Sequence, residues 1–401
     1  MDCPALCASN LTEKIMPDFL PIEYPLQIPY QLRVYFTKGV FDTSNPVFRD
    51  LACSRESGNR RKTLFYIDEA VAESNPQLEQ QIDGYFGHHE SDLQFQGIHR
   101  IPGGESLKND AEVVGKIYAD IEKNRICRHS FVAAIGGGAV LDTVGYAAAT
   151  AHRGIRHFRF PTTTLGQADA GVGVKNGVNF HHKKNFVGTF APPFAVINDL
   201  EFLKTLPEVH MRNGYIEAIK VALIRDSGFF NWIESKVKEL NRFDKETLEE
   251  LVYRCAKHHV AFIATSGDPF EMGSVRPLDF GHWAAHKLEQ LSDFKLSHGK
   301  AVAVGMAIDT LYSEERGYLD SQSAQRIINL LHELHFETYS DFLEQKNGSR
   351  FPYILQGLEE FREHLGGLLT ITLLKRIGSR FEVHEVDTDI VLRTIKRLKM
   401  L

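Results

Sequence analysis

The sequence predicts an α/β N-terminal half built on a parallel sheet, followed by a mostly α-helical second half. Three observations predict it. Short apolar runs alternate with helical periods from residue 31 to 165, the pattern of strand–helix–strand units with parallel strands. The strand-like run SFVAAI passes through Gly136, Gly137 and Gly138 directly into a helical pattern. Beyond LEFLKTLP (200–207) almost every segment carries the 3.6-residue helical period.

Taken in order, residues 1–29 contain several prolines and little periodicity, and are expected to be an N-terminal extension. QLRVYFTKGVF (31–41) and TLFYIDEAVA (63–72) are expected strands, the second ending at Asp68-Glu69 before the helical NPQLEQQIDGYF. IHRIPGGESLKND (98–110) is expected to be a strand, a Gly-Gly turn and a helix start, and HFRFPTTTL (157–165) another strand. A glycine-punctuated stretch follows to Asp199. The boundary between an α/β domain (30–203) and a helical domain (204–401) is expected near Asp199 to Pro207. GYIEAIKVALI, TLEELVYRCAKHHVAFIAT, KAVAVGMAIDTLYSEERG and TDIVLRTIKRL are among the helical segments after it.

Composition narrows the function. The chain is 43% hydrophobic and 24% charged over 401 residues, enough for a sizeable core and for two domains. A net charge of −6 gives no electrostatic case for nucleic acid or an anionic membrane as partner. No run of eighteen apolar residues exists, and the N-terminus lacks the apolar core of a secretory signal. Five scattered cysteines fit reduced thiols, so a cytoplasmic location is expected.

The chemistry concentrates in RPLDFGHWAAHKLEQLSDFKLSHG (276–299). His282 and His286 are four apart and share a helix face, and His298 follows in a Ser-His-Gly turn. Glu217, an acid in an otherwise apolar helical pattern, is the best third ligand. One carboxylate and two imidazoles leave a position open for substrate, as at a catalytic zinc. The same spacing equally suits hydrogen-bonded core histidines. Lys220 follows Glu217 by one turn, and Arg276 and Asp279 would crowd the same place. The three glycines offer a phosphate a close backbone approach and a helix N-terminus, although GGGAVLD is not GxGxxG and could be only a tight turn. Asp68, Glu105 and Lys108 are placed to reach a nucleotide. Asp169 to Asn185, with Lys175, Lys183, Lys184 and Asn185 among glycines, suits a phosphorylated, hydroxylated substrate; the alternative is a solvated basic loop. His129, His181, His182, His258, His332 and His335 carry no comparable context. FREHLGG could bring Arg362 or His364 to the cleft.

In order, YIDEAV, PGGESLKND, GGGAVLD, RFPTTTLGQADAGVGVKNGVN, KKNFVGTFAPPFAVIND, YIEAIKVALI, PLDFGHWAAHKLE and LSHGKAVAVGMA resemble the dehydroquinate synthase superfamily of sugar phosphate cyclases. The resemblance runs from about Leu32 to about Leu374. It is closest to the EboD-type and sedoheptulose 7-phosphate cyclases. It implies a Rossmann-like NAD-binding domain, a helical metal and substrate domain, a homodimer, and two cofactors, NAD and Zn2+, with Co2+ able to replace zinc. It assigns Glu217, His282 and His298 to the metal. Gly136, Gly137, Gly138, Asp142, Asp68, Glu105, Lys108, Thr162 and Thr163 fall to NAD. Asp169, Lys175, Lys220 and His286 are the catalytic set; Lys184, Asn185, Arg276, Asp279 and His364 contact substrate, with Arg153 supplied by a second copy.

Departures from dehydroquinate synthases lie where that substrate presents its carboxylate or phosphate. Asp279 stands where they usually have Asn, His259 in place of a lysine, and Arg276 is one position from the expected arginine. Phe361-Arg362-Glu363-His364 replaces a segment usually holding Asp-Lys-Lys. His286 in turn has no counterpart in sedoheptulose 7-phosphate cyclases. The expected reaction is therefore closure of a carboxylate-free heptulose 7-phosphate, sedoheptulose 7-phosphate, to a C7 carbocycle with phosphate elimination. The alternatives are 3-dehydroquinate synthase, acting on 3-deoxy-D-arabino-heptulosonate 7-phosphate, and a metal- and NAD-dependent polyol dehydrogenase.

Overall fold

The structure, a computed structural model, describes residues 22–54, 60–181, 183–270, 273, 276–346, 351–364 and 366–401. Met1–Gln31 and Leu32–Leu401 form two separate compact units. In the first, residues 22–31 have no helix or strand, and Ile22, Tyr24, Leu26 and Ile28 are exposed.

The second unit begins with a six-stranded parallel sheet. Its strands are β1 (Val34–Thr37), β2 (Arg61–Asp68), β3 (Leu93–Ile101), β4 (Phe131–Gly136), β5 (Arg156–Pro161) and β8 (Ala195–Asp199), in the order β1-β8-β5-β4-β2-β3. β2 and β4 are buried along nearly their whole length, as expected of strands covered on both faces. α1 (Val47–Cys53), α2 (Glu69–Ser74) and α3 (Leu78–His88) belong to one side, where Phe41, Phe48, Phe65, Tyr85, Phe86, Phe158 and Phe160 form an aromatic core. α4 (Ala111–Lys123) and α5 (Gly138–Thr150) cover the other face through Val113, Ile117, Val140 and Val144.

β2 connects onward to β3 on one side, and β4 to β5 on the other. The strand order therefore reverses between β2 and β4, and a crevice opens beyond their C-terminal ends. Asp68 and Gly136 end those two strands.

Two hairpins interrupt this plan, of which the second includes part of the strand-like LLTITLL (368–374). The glycine-punctuated stretch contains a π-type turn (Gly166–Ala170), then an antiparallel hairpin of β6 (Lys175–Phe180) and β7 (Lys183–Phe190), before β8 closes the sheet. The later residues also include a hairpin, β9 (Ile371–Arg376) with β10 (Ser379–Val383). Otherwise the chain from Glu208 is helical: α6 (Glu208–Arg225), α7 (Ser227–Ser235), α8 (Val237–Asn241), α9 (Lys245–Thr265), α10 (His282–Leu291), α11 (His298–Glu315), α12 (Ser321–Glu333), α13 (Gln356–His364) and α14 (Thr388–Leu398). α6 and α11 run through the middle of this core and are apolar on nearly every side.

A close crossing joins α10 to α11. A Cβ on Gly305 would fall 1.9 Å from the Gly281 carbonyl oxygen, so only hydrogen fits there. Gly281 has φ +78°, and its N–H donates to Asp309 at 2.9 Å, while Trp283 donates to the other Asp309 oxygen at 2.8 Å. This fixes the start of α10 against the body of α11. No helix among the described residues is long and apolar enough to cross a membrane.

Candidate active site

Three elements bring Glu217, His282 and His298 together. Glu217 sits in the middle of α6 and is fully buried; His282 opens α10 and His298 opens α11. One ligand atom from each lies within 4.8 Å of the others. His282 Nδ1 lies 3.1 Å from the Phe280 carbonyl. A carbonyl only accepts, so Nδ1 carries the proton and Nε2 keeps its lone pair. Burial, then Lys220 and the neighbouring His286 and His298 rings, push His282 well below the usual histidine range. The ring is thus held neutral, the form that binds metal.

The Glu217 carboxylate supplies the test of fit. Both of its oxygens are buried and neither has a hydrogen-bond partner of good geometry, although the Lys220 ammonium presses against one. The other is 3.7 Å from His298 Nε2, beyond a hydrogen bond. A buried carboxylate left this way is costly. A divalent cation between one carboxylate and two imidazoles would satisfy it and keep a fourth position open. The residues fit a catalytic zinc-type ion.

Around this cluster runs a buried ionic network. His259 Nε2, on α9, lies 2.8 Å from Asp169 Oδ1 on the π-type turn. Burial would raise the Asp169 pKa, but His259, Lys220 and His298 together hold it well below the carboxylate range. Lys220 is disfavoured as a cation by burial, yet Glu217, Asp169 and Asp279 raise its pKa above the ordinary lysine value. Asp279 thus belongs to the charge set that acts on Lys220. Asp169, Glu217 and His259 also approach one another closely enough for a cation, though the close His259 contact already occupies Asp169. His286 is half-buried with its ring 5.5 Å from that of His282.

The β6–β7 hairpin contributes Lys184, whose Nζ is 2.9 Å from Glu289 Oε1 on α10. That same oxygen lies 3.2 Å from His298 Nδ1. Lys108 Nζ donates to Asp142 at 2.8 Å and also to the Asn185 side chain. Residues expected on the nucleotide (Lys108, Asp142) and on the substrate (Asn185) are thus joined by one ammonium. Asn179 adds to this join, accepting from the Asn185 N–H at 2.8 Å and donating to Glu105 at 3.3 Å.

At the crevice, Gly137 precedes α5, and Thr162 N donates to the Gly136 carbonyl at 3.0 Å. The Thr162 hydroxyl is buried without a partner. Thr163 Oγ1 accepts from Gly166 N at 2.9 Å. Asp68 has a local duty as well: its carboxylate caps α2 by accepting from Ala70 N at 3.0 Å. A Cβ on Gly103 would fall 2.3 Å from that carboxylate, which explains the first glycine of PGGES.

The other expected residues lie as follows. Lys175 is exposed at the head of β6, and its carbonyl, not its ammonium, is held by Arg159 Nη2 at 2.6 Å. Arg276 is half-buried beside β9, with its carbonyl accepting from Thr372 at 3.4 Å. Arg153 is exposed beyond α5, at the N-terminal edge of the sheet and away from the crevice. Arg362 pairs with Glu359 at 2.5 Å on an exposed face. The side chain of His364, and all of His182, lie outside the described residues.

Two participants were not among the expected residues, and helical spacing is the one signal that could have found either. Glu289 falls seven residues after His282 and three after His286, hence on the same helix face. Arg159, in FRFP, looks like an ordinary strand residue, yet it is fully buried beneath the 170–176 loop. A cavity of about 790 Å³ near Tyr118, Cys127 and His152 lies at the opposite edge and gathers no such set.

Comparison with known proteins agrees with this geometry. Residues 98–213 match the family model for the 3-dehydroquinate synthase N-terminal region, and residues 214–354 that for its C-terminal region. The chain is 34% identical to the 3-dehydroquinate synthase of Saccharolobus solfataricus over 73% of its own length and 81% of the relative's. Among solved structures it is similar to a 2-epi-5-epi-valiolone synthase from Streptomyces hygroscopicus subsp. jinggangensis, bound to NAD+ and Zn2+. That match has a TM-score of 0.81 and 26% identity, and covers 95% of this chain and 99% of that one. A 2-deoxy-scyllo-inosose synthase complexed with carbaglucose-6-phosphate, NAD+ and Co2+ shares the fold, with a TM-score of 0.73 at 20% identity, over 91% of this chain and 96% of that one.

Proposed function

Because the chain belongs to the dehydroquinate synthase family of sugar phosphate cyclases, lyases that eliminate phosphate while closing a carbocycle, we propose that its substrate is a seven-carbon ketose 7-phosphate. The observation that carries the site is the buried Glu217 carboxylate, paired with Lys220 on one oxygen and facing two helix-head imidazoles beside the lysine-bearing hairpin.

Glu217, His282 and His298 would hold a zinc or cobalt ion, and the Gly136–Gly138 turn with the N-terminus of α5 would hold the pyrophosphate of NAD. When bound, NAD takes up and returns a hydride while the cation polarises the reacting oxygen. The protein's own groups do the rest. Lys184, Asn185 and His286 grip the phosphate, with Lys184 kept cationic: burial opposes its charge, but Glu289, Glu105 and Asp142 outweigh burial. Lys220 and Asp169 orient hydroxyls beside the cation, Lys220 as a charged hydrogen-bond donor and Asp169 as an ionised hydrogen-bond acceptor. Arg153 of a second copy completes the site in a homodimer.

Two substrates are in contention. The names of the curated relatives favour 3-deoxy-D-arabino-heptulosonate 7-phosphate, hence a 3-dehydroquinate synthase, over the sedoheptulose 7-phosphate expected from the sequence. The second reading keeps one observation in its favour: His259, standing where a lysine would meet the substrate carboxylate, is drawn onto Asp169 at 2.8 Å. Phosphate release from NAD+- and zinc-loaded protein, with each heptulose phosphate offered separately, decides between them. Release from the deoxy acid alone supports the first and eliminates the second; release from sedoheptulose 7-phosphate alone does the reverse. Net NADH accumulation without phosphate release would overturn both in favour of a polyol dehydrogenase.

A further inference from the structure

Glu289 is 4% exposed on α10, and its two oxygens are used unequally. Oε1 faces both Lys184 Nζ at 2.9 Å and His298 Nδ1 at 3.2 Å, whereas Oε2 is buried without a partner. We propose that Glu289 is a positioning residue that orients His298 toward the cation and restrains Lys184 through one shared carboxylate oxygen. The inference rests on the metal and phosphate roles proposed above.

The geometry gives the reasons. His298 opens α11 immediately after a loop, so its backbone alone leaves the ring free to turn. A carboxylate on Nδ1 fixes the tautomer and presents Nε2 toward Glu217. Lys184 lies on β7, the largely exposed strand of the hairpin, which among the described residues pairs with β6 alone, so β7 has little packing of its own to set the position of the ammonium. Glu289 ties it to a rigid helix. Because both donors share one oxygen, they compete for its charge. A phosphate that draws Lys184 away leaves Oε1 wholly to His298 and strengthens that imidazole as a ligand. Anion and cation binding are then coupled favourably, and by linkage in both directions.

The test is zinc affinity, measured by competition with a chromogenic chelator on metal-free protein, in wild type, Glu289→Gln and Lys184→Met. Glu289→Gln keeps the volume and an acceptor but removes the charge, and zinc affinity should fall about 10–100-fold. Lys184→Met frees Oε1 for His298, so zinc affinity should stay the same or tighten, while affinity for inorganic phosphate falls. Inorganic phosphate should tighten zinc binding in wild type and lose that effect in both variants. Equal zinc affinity in Glu289→Gln and wild type overturns the proposal. So does a Lys184→Met variant that weakens zinc as much as Glu289→Gln, since that marks a general structural loss. If wild type itself binds no zinc, the metal reading fails along with it, an outcome the wild-type arm separates from the others. Should Glu289→Gln not fold, the Lys184→Met zinc and phosphate arms still decide.

Discussion

Gly137 has φ −77° and ψ 177°, an extended conformation open to any residue. A Cβ there would meet only Thr163 Cγ2, at 3.4 Å, an ordinary contact. Neither backbone nor packing demands a glycine, so what a side chain would obstruct is the approach of a ligand to the start of α5. Gly137→Val should keep its thermal midpoint near that of wild type while NAD+ affinity, read by calorimetric titration, drops at least about 100-fold, roughly 2.7 kcal/mol. Unchanged NAD+ affinity would remove the turn from the nucleotide site. Gly136 is different, because its Cβ would strike Val140 at 2.8 Å, so the same substitution there should also cost stability. Other residues at this scale show why some roles were legible. Glu217 stands out as an acid inside YIEAIKVALI, where the apolar pattern already implies burial. Glu289 shares the face of His282 and His286 by spacing, but its lysine and glutamine neighbours in AAHKLEQL suggest a solvated face, and the Lys184 hairpin that helps bury it is 105 residues away.

At the scale of elements, the hairpin that carries Lys184 depends on a residue in another strand. Arg159 on β5 directs Nη1 at the carbonyls of Gly171 (3.1 Å) and Gly173 (3.0 Å), and Nη2 at Lys175 O (2.6 Å) and Asn176 Oδ1 (2.7 Å). The planar fork binds the loop that runs from Asp169 into β6. Removing it leaves buried carbonyls without donors, at about 1–3 kcal/mol each. Arg159→Met should lose several kcal/mol in a denaturant titration and speed amide exchange across 170–176. Arg159→Lys should not rescue it, because one ammonium cannot replace a fork. Full rescue by lysine would show that charge rather than geometry holds the loop. Strands β2, β4 and β5 and most helices were readable from apolar periodicity. The hairpin was not: VKNGVNFHHKKNFVGT is polar and glycine-rich, the residues its strands bury, Asn176, Gly177 and Asn179, are not apolar, and it is shaped by Arg159 from outside.

At the scale of the molecule, the sheet ends near residue 199 and the helical core follows, but the site belongs to neither alone. Asp169 meets His259 and Lys184 meets Glu289, each pair linking the α/β residues to the helices. Periodicity shows that both layers exist and cannot show which edges touch, which is why the motifs were legible and their pairings were not. Arg153 extends the argument beyond one chain. It lies past the end of α5, before β5 begins, with φ +62° and an exposed side chain. The six residues of β5, about 20 Å at ~3.3 Å per residue, separate it from the crevice, farther than an arginine side chain reaches. If it serves catalysis, it must serve another copy's site. In a two-fold dimer that sharing has a distinctive outcome. Arg153→Ala and Glu217→Gln should each be inactive alone, yet their mixed dimer contains one site with both residues intact. Co-expressed at equal levels, half of the dimers are mixed and about a quarter of wild-type phosphate release should return. Were Arg153 to act within its own chain, every site in every dimer would lack one residue, and mixing would recover nothing.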